Sequence, residues 1–171
     1  MNIVSSHTDR IISAHQYQGS SNDCAAFSLA AVLNGFEIDH ILGSDLARAM
    51  DKIHWHGILP VIPRIPGWAT FPWGMVDVLR DYGLNAYWRV FTPQAKLLEL
   101  LEAGEVVFTI TGRIIPLRAH VMVLLACDDA HGWGFNDPAY PDHTLRWYPK
   151  ELFSNEWRTY GQISVVMGLK L

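Results

Sequence analysis

Gln18 to Gly35 reads QGSSNDCAAFSLAAVLNG. A polar, turn-forming run gives way at Cys24 to small and apolar residues, and Asn34-Gly35 closes the stretch with a pair that commonly ends a helix. Ala26, Leu29, Ala30 and Leu33 fall at helical spacing, and side chains this small let neighbours pack close. Asn22 or Asp23 is the expected N-cap, with Asp23 read as a cap rather than a catalytic acid. A thiol in the first turn sits at the positive end of the helix dipole, which favours thiolate. Gln18, six residues upstream, can present a side-chain amide to the same spot as an oxyanion donor; Gln16 competes for that role at a spacing of eight. Such a nucleophile needs a base and a group that orients the base.

Arg118 to Cys127, RAHVMVLLAC, supplies a candidate base. It reads as a buried strand with His120 near its start, and Gly132 to Asn136 is the expected hairpin partner. With Asp128-Asp129 as the tip, Cys127 faces Ala130 and His120 faces Asp137, and opposed residues on one sheet face have Cβ atoms about 5 Å apart. A one-residue slip would put Asn136 opposite instead, so the orienter is Asp137 or Asn136. Each piece alone has a plainer reading. A lone strand histidine is commonly a satisfied core residue, a cysteine opening a helix is commonly buried and inert, and Asp137-Pro138 is commonly a turn. Together they meet one mechanistic need.

Around these two stretches the order is helices first and strands mostly later, the pattern of an α+β domain. Residues 1–22 read as an extended arm and Ile41–Met50 as a second helix. Residues 53–74 combine four prolines with Trp55, Trp68, Phe71 and Trp73, and read as a long loop, either a groove wall or packing over the core. A helix starts at Pro72, a strand spans Leu84–Phe91, and Thr92-Pro93 caps a further helix. Strands follow at Glu105–Thr111, Thr144–Tyr148 and Gln162–Met167, with a short helical turn over Lys150–Phe153.

The 171 residues suit one domain over 1–171 with a real core, and 50% hydrophobic content argues against disorder. A net charge of −4 with no Lys/Arg run excludes an obvious nucleic-acid footprint. Cys24 and Cys127 read as free thiols, with Cys127 in the core. No signal peptide or membrane-length apolar run is visible, so a cytoplasmic location and no membrane segment are expected. His54 and His56 share a strand face, as in some metal sites, but lack an obvious third ligand; no metal or cofactor is expected. Arg118 reads as a strand-end charge or a contact for a substrate carboxylate.

Gln18, Asp23-Cys24, the small residues Ala25-Ala26, His120 and Asp137-Pro138, in that order, resemble the papain-like cysteine peptidases. Within them the chain is most similar to the branch that trims double-glycine leaders from bacteriocins (family C39) and to its stand-alone relatives, over roughly residues 16–170. Ala25 stands where that branch often has glycine, and Val121 where it often has an aromatic residue, which implies a divergent member. The resemblance implies a papain-like α+β fold, with N-terminal helices on a mainly antiparallel sheet. It also implies a cysteine-dependent hydrolase acting on a peptide or other amide. Cys24 would be the nucleophile, His120 the acid–base, Asp137 the orienter, and Gln18 the oxyanion donor. An acyltransferase or transglutaminase-like enzyme with the same triad, or a non-catalytic peptide-binding module on this fold, are the alternatives. Substrate identity and oligomeric state are open.

Overall fold

The computed structural model describes residues 2–56, 58–113 and 118–168, with His56 as backbone only. In chain order the elements are β1 (Asn2–Val4), α1 (Thr8–Ser13), α2 (Cys24–Gly35), α3 (Gly43–Met50), β2 (His54–His56), β3 (Leu59–Val61), β4 (Arg64–Ile65), β5 (Ala69–Thr70), α4 (Pro72–Asp81), β6 (Asn85–Arg89), α5 (Gln94–Glu102), β7 (Val106–Arg113), β8 (Arg118–Asp128), β9 (Gly132–Asn136), β10 (Arg146–Tyr148), α6 (Lys150–Thr159) and β11 (Ser164–Gly168). The main sheet runs β10-β9-β8-β7-β11-β6, β1 pairs with the far end of β8, and every pairing is antiparallel. This is the α+β architecture that the order of elements predicts.

β8 is apolar throughout its middle because both faces of the sheet are covered. Val121, Val123 and Leu125 pack with α2, α3 and α4, while Met122, Leu124 and Cys127 pack with α5 and α6. The step from Leu124 to Cys127 breaks strict alternation, and the cause is a bulge in the β8–β9 ladder between Leu124 and Ala126. The carbonyl of the extra residue, Leu125, accepts the Ser5 N–H at 2.7 Å, which ties the N-terminal arm down beside β1.

Several elements differ from the sequence-based expectation. Residues 1–22 hold both β1 and α1, too short for a periodic signal and formed by docking on β8 and α2. The proline-rich segment is not structureless: β2–β3 and β4–β5 are two small hairpins. Its end packs so tightly on α4 that a Cβ on Gly74 would lie 2.3 Å from the Pro63 carbonyl oxygen. Thr92 does not cap α5. It is fully buried and its hydroxyl shares a hydrogen bond with Ser164 at 2.9 Å, while Pro93 takes the N-cap position. α6 runs well past the expected turn, because Phe153 and Trp157, four residues apart, bury one face against the sheet.

Among the described residues, no helix is long and apolar enough to cross a membrane.

Candidate active site

α2 begins at Cys24 and is almost wholly buried from Ala25 to Leu33, so its small side chains let it lie close against β8. Two contacts set the register of that packing, one helical turn apart on α2. The Val121 N–H donates to Cys24 Sγ at 3.3 Å, and the Ser28 hydroxyl donates to the Val121 carbonyl at 3.2 Å. The backbone of the residue after His120 is therefore held to the helix on both its polar groups.

His120 Nε2 lies 2.6 Å from Asp137 Oδ1. The register that produces this contact differs from the expected one. The β8–β9 turn is longer than two residues, so Cys127 pairs with Trp133 rather than Ala130. The bulge then moves the pairing by one, and Val123 stands opposite Asn136. Asp137, just past β9, is left on the same face as His120 but diagonal to it, within reach of an imidazole. The Asn136 side chain is engaged elsewhere: its Oδ1 pairs with Nδ1 of the buried His15 at 2.5 Å, and His15 Nε2 contacts the Tyr140 carbonyl at 2.8 Å. Of the two candidate orienters, Asp137 is the one on the histidine.

Asp137 is buried and fully engaged. Its Oδ1 also accepts the Ala139 N–H at 2.9 Å, and its Oδ2 accepts the Tyr148 hydroxyl at 2.5 Å. Burial pushes its pKa up, but His120, Tyr148 and the Ala139 N–H together hold it below the usual carboxylate value. For His120 burial pulls the other way and would favour the neutral ring. Hydrogen bonds to Asp137 and Cys24, with their charges, outweigh it and raise the imidazole to about 9. Tyr148 is pushed up by burial and by the facing carboxylate, so it stays a donor.

Asp23 holds the N-cap position of α2 but makes no side-chain cap bond. Its carboxylate instead pairs at 2.6 Å with Arg64, which is buried and lies 3.1 Å from Asp51 on its other side. The first N–H groups of the helix are thus left uncapped by a side chain at the thiol. Gln18 lies in the loop before Cys24. Its N–H donates to the Pro138 carbonyl at 2.9 Å, linking the loop to the segment after Asp137. One proton of its side-chain amide goes to the Ser21 carbonyl at 2.6 Å, leaving the second to point elsewhere. Gln16 is spent on structure: its amide bridges the Ile41 carbonyl and the Gly43 N–H at the start of α3.

Two cavities flank the pair. One, of about 300 Å³, includes His120, Asp137, Tyr148, Arg113, Arg118 and Glu156. The other, of about 340 Å³, opens between Asn22 and Ala119 and is walled partly by the 64–74 segment, so part of the proline-rich stretch is a groove wall. Arg118 stands on the rim of both. Among the described residues no group of three or more His, Cys, Asp or Glu could hold a metal ion; the His56 side chain lies outside them. Both cysteines are free. Ser28, Arg64 and Tyr148 escaped the sequence reading, since nothing in their local spacing marks them.

Helices packed on a mainly antiparallel sheet, with the tip of α2 set against β8 inside an α+β domain, are the papain-like architecture. The chain belongs to the Peptidase_C39 like family, whose model matches residues 10–165. Its fold is shared by a crystal structure described as a candidate C39-like peptidase from Bacillus anthracis, with a TM-score of 0.73 at 16% identity, covering 99% of this chain and 98% of that one. It is also similar to a double glycine motif protease from an AMS/PCAT transporter, solved with its leader peptide, with a TM-score of 0.57 at 18% identity over 90% and 89% of the two chains. No curated protein matches the sequence.

Proposed function

We propose that the chain, as one catalytic domain, is a cysteine peptidase that cleaves a peptide or similar amide through a covalent acyl-enzyme. The observation that carries this is the convergence of Cys24, held on the Val121 N–H at 3.3 Å, with a His120–Asp137 pair at 2.6 Å. Cys24 Sγ attacks the carbonyl carbon as thiolate, forming the C–S bond and an oxyanion. The Cys24 backbone N–H and the free proton of the Gln18 amide hold that oxyanion. Collapse breaks the C–N bond, and His120 as imidazolium gives its proton to the leaving amine. Neutral His120 then takes a proton from water, whose oxygen attacks the thioester; the acid leaves and Cys24 is restored as thiolate beside imidazolium. Asp137 holds the ring in one orientation, and Tyr148 holds Asp137. A peptide as substrate accords with the family, and one structural neighbour has a leader peptide bound.

The test is digestion of a diverse peptide library, read by mass spectrometry, with wild type and Cys24→Ala in parallel. Cleavage by wild type alone, with an acyl adduct on Cys24 after acid quench, is the expected result. Cleavage that survives Cys24→Ala would sink the proposal, as would a wild type that cuts nothing.

A further inference from the structure

We infer that His15, a buried imidazole in the arm between α1 and Gln18, is a positioning residue: it clamps the segment from Asn136 to Tyr140 from behind and so sets where the Asp137 carboxylate stands against His120. The inference rests on the peptidase reading above and adds to it a residue that touches neither substrate nor nucleophile.

Three observations carry it. The first is the grip. Nδ1 of His15 pairs with Asn136 Oδ1 at 2.5 Å, and Nε2 lies 2.8 Å from the Tyr140 carbonyl oxygen. A carbonyl only accepts, so Nε2 carries a ring proton and donates it. One rigid ring thus spans both ends of a five-residue segment whose second residue is Asp137. Successive side chains on a strand point opposite ways, so Asn136 meets His15 on one side while Asp137 meets His120 on the other.

The second is what lies inside the clamp. Asp137 Oδ1 accepts the Ala139 N–H at 2.9 Å, and the Asp137 carbonyl accepts the Tyr140 N–H at 3.3 Å. Pro138, between them, has a fixed φ. The segment is a tight turn, and Asp137 cannot shift without moving Asn136 or Tyr140, the two residues that His15 holds. Three residues after His15 the Gln18 N–H donates to the Pro138 carbonyl at 2.9 Å. The same arm therefore holds the turn at a third point and fixes the candidate oxyanion donor relative to Asp137.

The third is burial. His15 is buried and lines neither of the two cavities that flank His120 and Asp137. The exposed His143 ring lies edge-on to it, centroids 5.2 Å apart. A leucine could fill that space with no polar atom to satisfy. Only a side chain with polar atoms on two edges can hold both ends of the turn, and a buried polar group costs free energy unless it is paired.

The experiment titrates His120 by NMR of protein labelled with 15N-histidine, the signal assigned by its loss in His120→Gln, and measures peptide cleavage and Tm alongside. Wild type, His15→Ala, His15→Gln and Asn136→Ala are compared. In His15→Ala, His120 should titrate at lower pH than the wild-type value of about 9. kcat should fall roughly 10- to 100-fold, the order of a 1 Å misplacement, with KM within about threefold. His15→Gln keeps an amide that can donate to the Tyr140 carbonyl and should recover about tenfold of that loss. Asn136→Ala cuts the clamp from the other side and should move His120 the same way, which carries the test should His15→Ala not fold. Combined with His15→Ala it should cost no more than about threefold further. A lower Tm with the His120 titration and kcat both unchanged would overturn the inference, leaving His15 a packing residue. So would a fall in kcat with the titration in place, or a loss that His15→Gln does not relieve. A wild type that cleaves nothing, while His15→Ala still moves the His120 titration, would keep the clamp and remove the peptidase reading.

Discussion

Tyr148→Phe deletes one oxygen, and that oxygen ends on a carboxylate only 3% exposed: the hydroxyl donates to Asp137 Oδ2 at 2.5 Å. The ring keeps its edge-on packing against Phe135, centroids 5.6 Å apart, so the change is confined to the hydrogen bond. Hydrogen bonds to charged groups contribute roughly 1.5–3 kcal/mol. The same energy appears as a shift in Asp137. Burial raises its pKa, and the bonds from His120, Tyr148 and Ala139 together bring it below the ordinary value; losing one of them moves it back up. A carboxyl held low in the fold stabilises it above the unfolded pKa, and that stabilisation is lost as pH falls through the folded pKa. In the variant the loss therefore begins at a higher pH. At pH 7 the fold should be less stable by roughly 1.5–3 kcal/mol, a Tm about 3–12 °C lower for a chain of this size. His120 keeps its contact on Oδ1, so kcat/KM at pH 7 should fall by no more than about tenfold. Thermal melts at pH 7 and pH 4, with peptide cleavage alongside, read both quantities. An unchanged Tm and acid limb would refute the reasoning. So would an unchanged Tm with a rate loss above about a thousandfold, which would move Tyr148 from Asp137 to the substrate.

For His120, burial alone lowers the imidazole, yet the bonds to Asp137 and Cys24 carry it to about 9; kcat/KM should hold until pH nears 9 and fall above it as the imidazolium loses its proton. Its contribution to stability has the opposite sense to that of Asp137, complete below the unfolded value near 6.5 and lost as pH rises through the folded one. Asp137→Asn leaves burial less opposed, so the alkaline limb should move to lower pH, and a limb that stays put would show that Cys24 alone sustains the shift. Gln18→Ala should cost roughly 10²–10³ in kcat, whereas Gln16→Ala should lower the Tm by a few degrees with kcat intact, because its amide joins only Ile41 and Gly43; the reverse pattern would exchange their roles. Arg64→Met leaves Asp23 without its partner beside Cys24, and a loss of roughly 3 kcal/mol in urea unfolding is expected.

Much of this fold was readable where local and tertiary preferences agree. α2, β7, β8 and β11 are long or strongly apolar, and their bounds fall within one or two residues of the expected ones. The misses share a cause. β1 and α1 are short elements without a face of their own, and they form because β8 and α2 offer them one. The hairpins at 54–70 interrupt prolines that local rules assign to loops, and Thr92 makes a better hydrogen bond across the sheet to Ser164 than it would at a cap. Asp23 follows the same logic. Its preference for capping is worth about 1 kcal/mol, less than the cost of leaving one side of the buried Arg64 guanidinium, the side away from Asp51, without a partner.

The site shows how a wrong register can still bring His120 and Asp137 together. The expected two-residue turn is too short, and correcting it alone would have moved β9 by an odd number of places and turned Asp137 to the opposite face from His120. The bulge at Leu125 adds one more residue and restores the face. Side chains on a strand alternate with period two, so what chemistry requires of the hairpin is parity, and distance along the strand is then absorbed by the reach of the imidazole. Parity is also what excludes Asn136, which the same two shifts turn toward His15. The candidate triad could therefore be read from residue types and chain order. Its supports, Tyr148 on Asp137, Ser28 on the Val121 carbonyl and Arg64 on Asp23, depend on which strands and helices meet, and no spacing within one segment carries that.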